Sequence, residues 1–161
     1  MNKIENFESL EESANNMQEE KEMVEIICGR KGKGKTKHLL DMANGSVKTA
    51  AGSIVYLDKS SKHMYELNNR IRLINVNEFP IGNSQGFIGF ISGILSQDRD
   101  IEVMFLDSFL KLACLEGEDI SETITVLEKL STKYSLNFVL SISMDSHELP
   151  EAIQKDVIIS L

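Results

Sequence analysis

Residues 29–36, Gly-Arg-Lys-Gly-Lys-Gly-Lys-Thr, are the stretch whose residue types and spacing could do chemistry. Gly29, then four residues, then Gly34-Lys35-Thr36 completes G-x-x-x-x-G-K-[ST], the P-loop or Walker A pattern. Its glycines, Gly32 included, let the backbone bend so that successive N–H groups point into one concavity. The Lys35 ammonium can neutralise the β- and γ-phosphates of a nucleotide, and the Thr36 hydroxyl can ligate magnesium. A helix opening near Gly34 would add its positive dipole end to the same anion site. Arg30, Lys31, Lys33 and Lys37 crowd the same turn. A triphosphate accounts for part of that charge, and a second anionic partner is the alternative use of the rest. Chance would place this pattern in roughly one chain of this length in two hundred. The competing reading is a Gly/Lys-rich surface turn with no ligand.

Positioning such a loop requires a strand before it and a helix after it. Residues 24–28 are an apolar run, and His38, Leu39, Leu40, Met42 and Ala43 follow the loop at amphipathic spacing, with Asn44-Gly45 as a stop signal. Further strands are expected at 53–58, 71–76, 101–107, 136–143 and 157–161. Helices are expected at 84–97, 119–133 and 151–155, with a polar helical piece at 60–69 and a loop at 79–82. Helix 84–97 carries Gly86, Gly89 and Gly93 among its apolar residues. Each glycine costs about 1 kcal/mol against alanine, which implies close packing on the sheet or a self-association face. Strands alternating with helices predict an α/β fold with a mainly parallel sheet.

A phosphate cradle alone hydrolyses nothing; a metal and a water-positioning base are also needed. Asp107 ends an apolar strand and suits a metal-holding role, through a water, because strand ends at that edge of a parallel sheet converge on the ligand crevice. Asp58 ends the strand after the P-loop helix, where it could polarise a water or merely form a turn. Ser108, Ser141 and Ser143 are hydroxyls at strand ends, any of which could sense a γ-phosphate or simply be satisfied locally.

At 161 residues one domain is expected. Residues 1–22 hold seven glutamates, with Ile4, Phe7, Leu10, Ala14 and Met17 at helical spacing. They read as a solvated acidic tail or a helix that docks on a protein partner, with the domain proper spanning 23–161. Net charge of −8 argues against nucleic acid or anionic membranes as partners. No apolar run approaches eighteen residues and no basic-then-apolar leader opens the chain, so a cytoplasmic protein without a membrane span is expected. Cys28 and Cys114 sit in apolar stretches and read as buried free thiols, and no spacing suggests zinc.

The run Leu106-Asp107-Ser108-Phe109-Leu110-Lys111-Leu112 resembles the Walker B region of RecA/KaiC-like ATPases. The resemblance implies a three-layer P-loop NTPase fold, maps the catalytic acid onto Asp58 where that family usually has Glu, and points to Ser141 or Ser143 as a γ-phosphate sensor. Residues 24–155 also resemble short stand-alone bacterial P-loop proteins, often labelled twitching-motility-ATPase-like. Residues 29–36, 54–58, Tyr65, 70–75 and Glu148-Leu149-Pro150 carry that likeness. ATP is favoured over GTP because the Asn-Lys-x-Asp guanine reader is absent. The leading expectation is an ATP-binding protein with slow Mg2+-dependent hydrolysis, in which Lys35, Asp58 and Asp107 do the chemistry and Thr36 and Asp107 hold the metal. A nucleotide-dependent protein-binding module with little turnover is the alternative, and a small-molecule kinase a weaker third. RecA-like domains frequently assemble, so a homo-oligomer is also expected, with Arg70, Arg72 or Arg99 of a neighbouring copy as an arginine finger.

Overall fold

The apolar runs that the sequence marks as strands alternate their side chains between two separate cores. The computed structural model describes residues 23–161. The acidic segment 1–22, expected as a tail or docking helix, lies outside the described residues. Six strands, β1 (Val24–Cys28), β2 (Ser53–Asp58), β3 (Ile71–Asn75), β4 (Ile101–Leu106), β5 (Asn137–Ile142) and β6 (Val157–Ser160), form one sheet in the order β3-β2-β4-β5-β1-β6. Every pairing is parallel.

Because strand side chains alternate, neighbours in register face the same side. Ile26, Cys28, Val55, Leu57, Met104, Leu106, Phe138 and Leu140 point into one core. Ile27, Ile54, Tyr56, Phe105 and Val139 point into the other. Helix α1 (Lys35–Ser46) closes the second core with Leu39, Leu40 and Ala43. Helix α2 (Ser84–Gln97) closes the first with Phe87, Ile91 and Leu95, beside α4 (Ser121–Tyr134) with Ile124 and Leu127. The short helices α3 (Phe109–Leu112) and α5 (Glu151–Gln154) add Phe109, Leu112 and Ile153 to that same core. Each such side chain stabilises the fold by about 1.5–3 kcal/mol when fully buried. The result is three layers, helices on both faces of a wholly parallel sheet, which makes the expected mainly parallel sheet parallel throughout.

Three expectations need correction. Residues 60–69 are turns, not a helix. The Asn44 side chain, reaching from α1, donates to Glu66 O at 2.8 Å and accepts from Asn68 N at 2.8 Å, so it holds this backbone in a turned conformation. The glycines of α2 do not mark close packing. All three are exposed, and a Cβ on Gly89 or Gly93 would meet nothing within 4 Å. Nothing in the structure requires glycine at those two positions. Cys28 is buried as expected, but Cys114 is exposed, in a left-handed turn (φ 57°) that leaves α3.

Candidate functional site

All the polar residues singled out in the core lie at one end of the sheet, where β1, β2, β4 and β5 terminate. At the end of β1, Gly29 has φ 152° and is buried against the last residue of the chain. A Cβ there would lie 2.9 Å from Leu161 Cβ and 3.0 Å from Leu161 O, so only glycine fits both the turn and the contact. Gly32 (φ 86°) and Gly34 (φ 94°) carry the chain through left-handed conformations into α1. Gly34 caps α1 without a side-chain hydrogen bond, so the amides of the first turn have no side-chain acceptor. The loop thus turns tightly at the end of β1, with Lys33 N donating to Arg30 O at 3.3 Å.

Lys35 opens α1 and is buried, with Nζ donating to Arg30 O at 3.1 Å across the bend. Burial lowers its pKa below the usual lysine value, and the Asp107 carboxylate works against that. Asp107, directly after β4, is buried and collects three hydroxyl donors. Thr36 Oγ1 donates to Oδ1 at 3.2 Å, Ser141 Oγ to Oδ1 at 2.7 Å and Tyr56 Oη to Oδ2 at 2.9 Å. Ser141 also accepts from Ser108 N at 2.7 Å, which ties the ends of β4 and β5 together. Its hydroxyl is therefore committed to Asp107, whereas Ser143 lines the adjacent cavity. Burial, then the Asp107 charge, raises the Tyr56 pKa far above the usual phenol value, so Tyr56 remains a donor. Tyr56 escaped the sequence reading. The signal was present: a tyrosine in an otherwise apolar buried strand, two residues from Asp58.

Asp58 closes β2 beside this group. Its Oδ1 accepts from Lys59 N at 2.7 Å, while its buried Oδ2 has no hydrogen-bond partner. Burial, then the charge of Asp107, raises its pKa above the ordinary carboxyl value. Asp58, His63 and Asp107 each offer a ligand atom within 4.8 Å of the others, and His63 Nδ1 is already held by Glu66. Two buried carboxylates, one with an orphaned oxygen, together with the Thr36 hydroxyl form a hard oxygen set. Such a set fits a small divalent cation such as magnesium.

The remaining loop cations separate. Arg30 turns to the segment after β5, donating from Nε to Asp145 Oδ2 at 2.8 Å and from Nη2 to Glu148 Oε1 at 3.1 Å. Lys33 and Lys37 are exposed. Lys31 lines a cavity of about 660 Å³ shared with Arg30, Lys59, Ser108, Lys111 and Ser143. Burial, and then its neighbour Lys111, lowers the Lys59 pKa. The three candidate finger arginines lie near the opposite, amino ends of β3 and β4. Arg70 donates to Val47 O at 3.4 Å, Arg72 pairs with Asp98 at 3.3 Å, and Arg99 stacks over the Tyr134 ring.

This layering and this strand order define a three-layer α/β fold of the RecA-like type. Among solved structures, it is similar to the flagellar accessory protein FlaH from Methanocaldococcus jannaschii, at a TM-score of 0.54 and 13% identity. The match covers 83% of this chain and 66% of FlaH, so the chain spans just under two thirds of FlaH's length. No protein-family model matches the sequence, and no curated protein matches it significantly. No helix among the described residues is long and apolar enough to cross a membrane.

Proposed function

We propose that this chain binds ATP at the loop 29–36 and hydrolyses it slowly with magnesium. The observation that carries the reading is the meeting of Thr36 and Asp107. They come from elements 71 residues apart, yet lie 3.2 Å from each other at the mouth of the glycine turn. Backbone amides of Gly29–Thr36, with Gly32 and Gly34 supplying the bend, receive the phosphate oxygens. Lys35 neutralises the β- and γ-phosphates; Lys31, Lys33 and Lys37 add field at the rim, and Arg30 steadies the loop through Asp145 and Glu148. Thr36 and Asp107 would hold magnesium, which supplies charge neutralisation on the phosphate oxygens when bound. Tyr56 and Ser141 fix the Asp107 rotamer. Asp58 accepts a proton from, or orients, the attacking water, and its raised proton affinity makes it a better base than an ordinary carboxylate.

Support for the alternative, a nucleotide-dependent binding module, narrows in this fold. The apolar stretch 109–115 would be a natural partner surface for such a module, but Phe109, Leu112, Ala113 and Leu115 are buried in the core. The exposed glycine-bearing side of α2 and the segment 1–22 remain its candidate surfaces. A homo-oligomer contributing an arginine would have to bring the amino end of one sheet to the carboxyl end of the next. Phosphate release separates the readings. Turnover in the wild type that is lost in Asp58→Asn supports hydrolysis; nucleotide binding with background release supports the module.

A further inference from the structure

We infer that Lys59 and Lys111 form a second oxyanion subsite, for a phosphate-type group, beside the glycine turn. Lys59 follows Asp58 at the end of β2, and Lys111 lies on α3, swung over the site by the left-handed Ser108 (φ 56°). Both are cationic, and they border the same spaces. Both line the 660 Å³ cavity that reaches the loop at Arg30 and Lys31, and both also line a second cavity of about 520 Å³ toward Asn77 and Phe79. They therefore stand where the two spaces join.

Two adjacent ammonium groups repel unless an anion lies between them. Among the described residues, neither lysine forms an ion pair with a carboxylate; those pairs involve Arg30, His63 and Arg72. Glu116, which lines both cavities with the two lysines, and Glu118 form no ion pair with either of them, and Glu148 pairs with Arg30. A tetrahedral oxyanion with several acceptor oxygens can take charge-assisted hydrogen bonds from both lysines. Of the other cations lining this cavity, Arg30 is clasped by Asp145 and Glu148, which leaves Lys59 and Lys111, with Lys31, to supply its positive charge. The oxyanion has two available sources: the terminal phosphate of a nucleotide, in which case the assignment rests on the function proposed above, or a separate phosphate.

The full chain and its Lys59→Gln/Lys111→Gln variant would be titrated with Mg·ADP, with a non-hydrolysable Mg·ATP analogue and with inorganic phosphate. Loss of about tenfold or more in affinity for the analogue, with ADP held within about twofold, supports the subsite and makes the terminal phosphate its source. Loss of inorganic phosphate binding, with both nucleotides unchanged, supports it with a separate phosphate as source. Unchanged affinity for all three ligands overturns it. If the wild type binds neither nucleotide, the nucleotide reading falls alone, and the inorganic phosphate arm still decides this one. Should the double variant not fold, the single Lys111→Gln change at an exposed position is judged by the same criteria. Lys59→Arg, which retains the charge, is expected to keep most of the affinity.

Discussion

The two ends of this sheet are built from the same apolar strands and treat polar groups in opposite ways. At the amino ends, Arg70, Arg72 and Arg99 find partners on or near the surface: a carbonyl, a carboxylate and an aromatic face. At the carboxyl ends, Lys35, Asp58, Asp107 and Ser141 are buried, and the backbone passes through positive φ at Gly29, Gly32, Gly34 and Ser108. Burying a charge is costly unless it is paired, and left-handed residues other than glycine add strain. The amino ends also bury Ser131 and Asp156 and turn through a left-handed Ser135, but among the described residues the buried lysine, Lys35, and the buried carboxylates Asp58 and Asp107 gather at the carboxyl ends. That gathering of buried charge is the feature on which the proposed function at the carboxyl edge rests.

The comparison breaks first at Asp107. Asp107→Ala strands the buried Tyr56 and Ser141 hydroxyls, at about 1–3 kcal/mol each, while relief of repulsion with Asp58 offsets part of the loss. Thermal unfolding is expected near 10 °C lower, and an unchanged midpoint would mean the hydroxyl cluster is not a stabilising unit. Tyr56→Phe removes one of those donors and is expected to cost about 1–3 kcal/mol, read as a lower denaturation midpoint with nucleotide binding retained.

Asp58 reverses the sign. Its pKa is raised in the folded state, so the stability linked to its protonation is present below the ordinary carboxyl range and is lost as pH rises through the raised value. Asp58→Asn should therefore raise the melting midpoint by about 2–4 °C at neutral pH and abolish turnover. The stability gain should vanish as pH falls below about 4. A variant less stable than wild type at neutral pH would remove Asp58 from the set of groups strained for function. The smallest effect is expected at the other end. Arg72→Ala breaks an exposed ion pair and should change stability by about 0–1 kcal/mol. A collapse of turnover in that variant, seen only at protein concentrations where copies associate, would instead make the amino edge part of a neighbour's site.

Much of this was legible beforehand because fully buried parallel strands read as continuous apolar runs, and a glycine-lysine turn has few other uses. β2 begins and ends where expected, with Asp58 as its last residue, and Asp107 comes one residue after the end of β4 rather than within it. What was not legible depends on contacts distant in sequence. Asn44 replaces a helix at 60–69 with turns by bonding backbone more than twenty residues away. Tyr56 becomes a site residue only because β2 lies beside β4, a pairing that no local pattern encodes. The glycines of α2 misled because glycine in a helix usually signals close approach, and here their face is open.

The central claim is that the turn at Gly29–Thr36, backed by Lys35, holds a chain of phosphates. Its most direct test is equilibrium binding of a fluorescent ATP analogue with magnesium to the wild type and to Lys35→Ala. Saturable binding by the wild type, weakened by about tenfold to a hundredfold in the variant, is the predicted result. No binding by the wild type, or equal binding by both proteins, would contradict it.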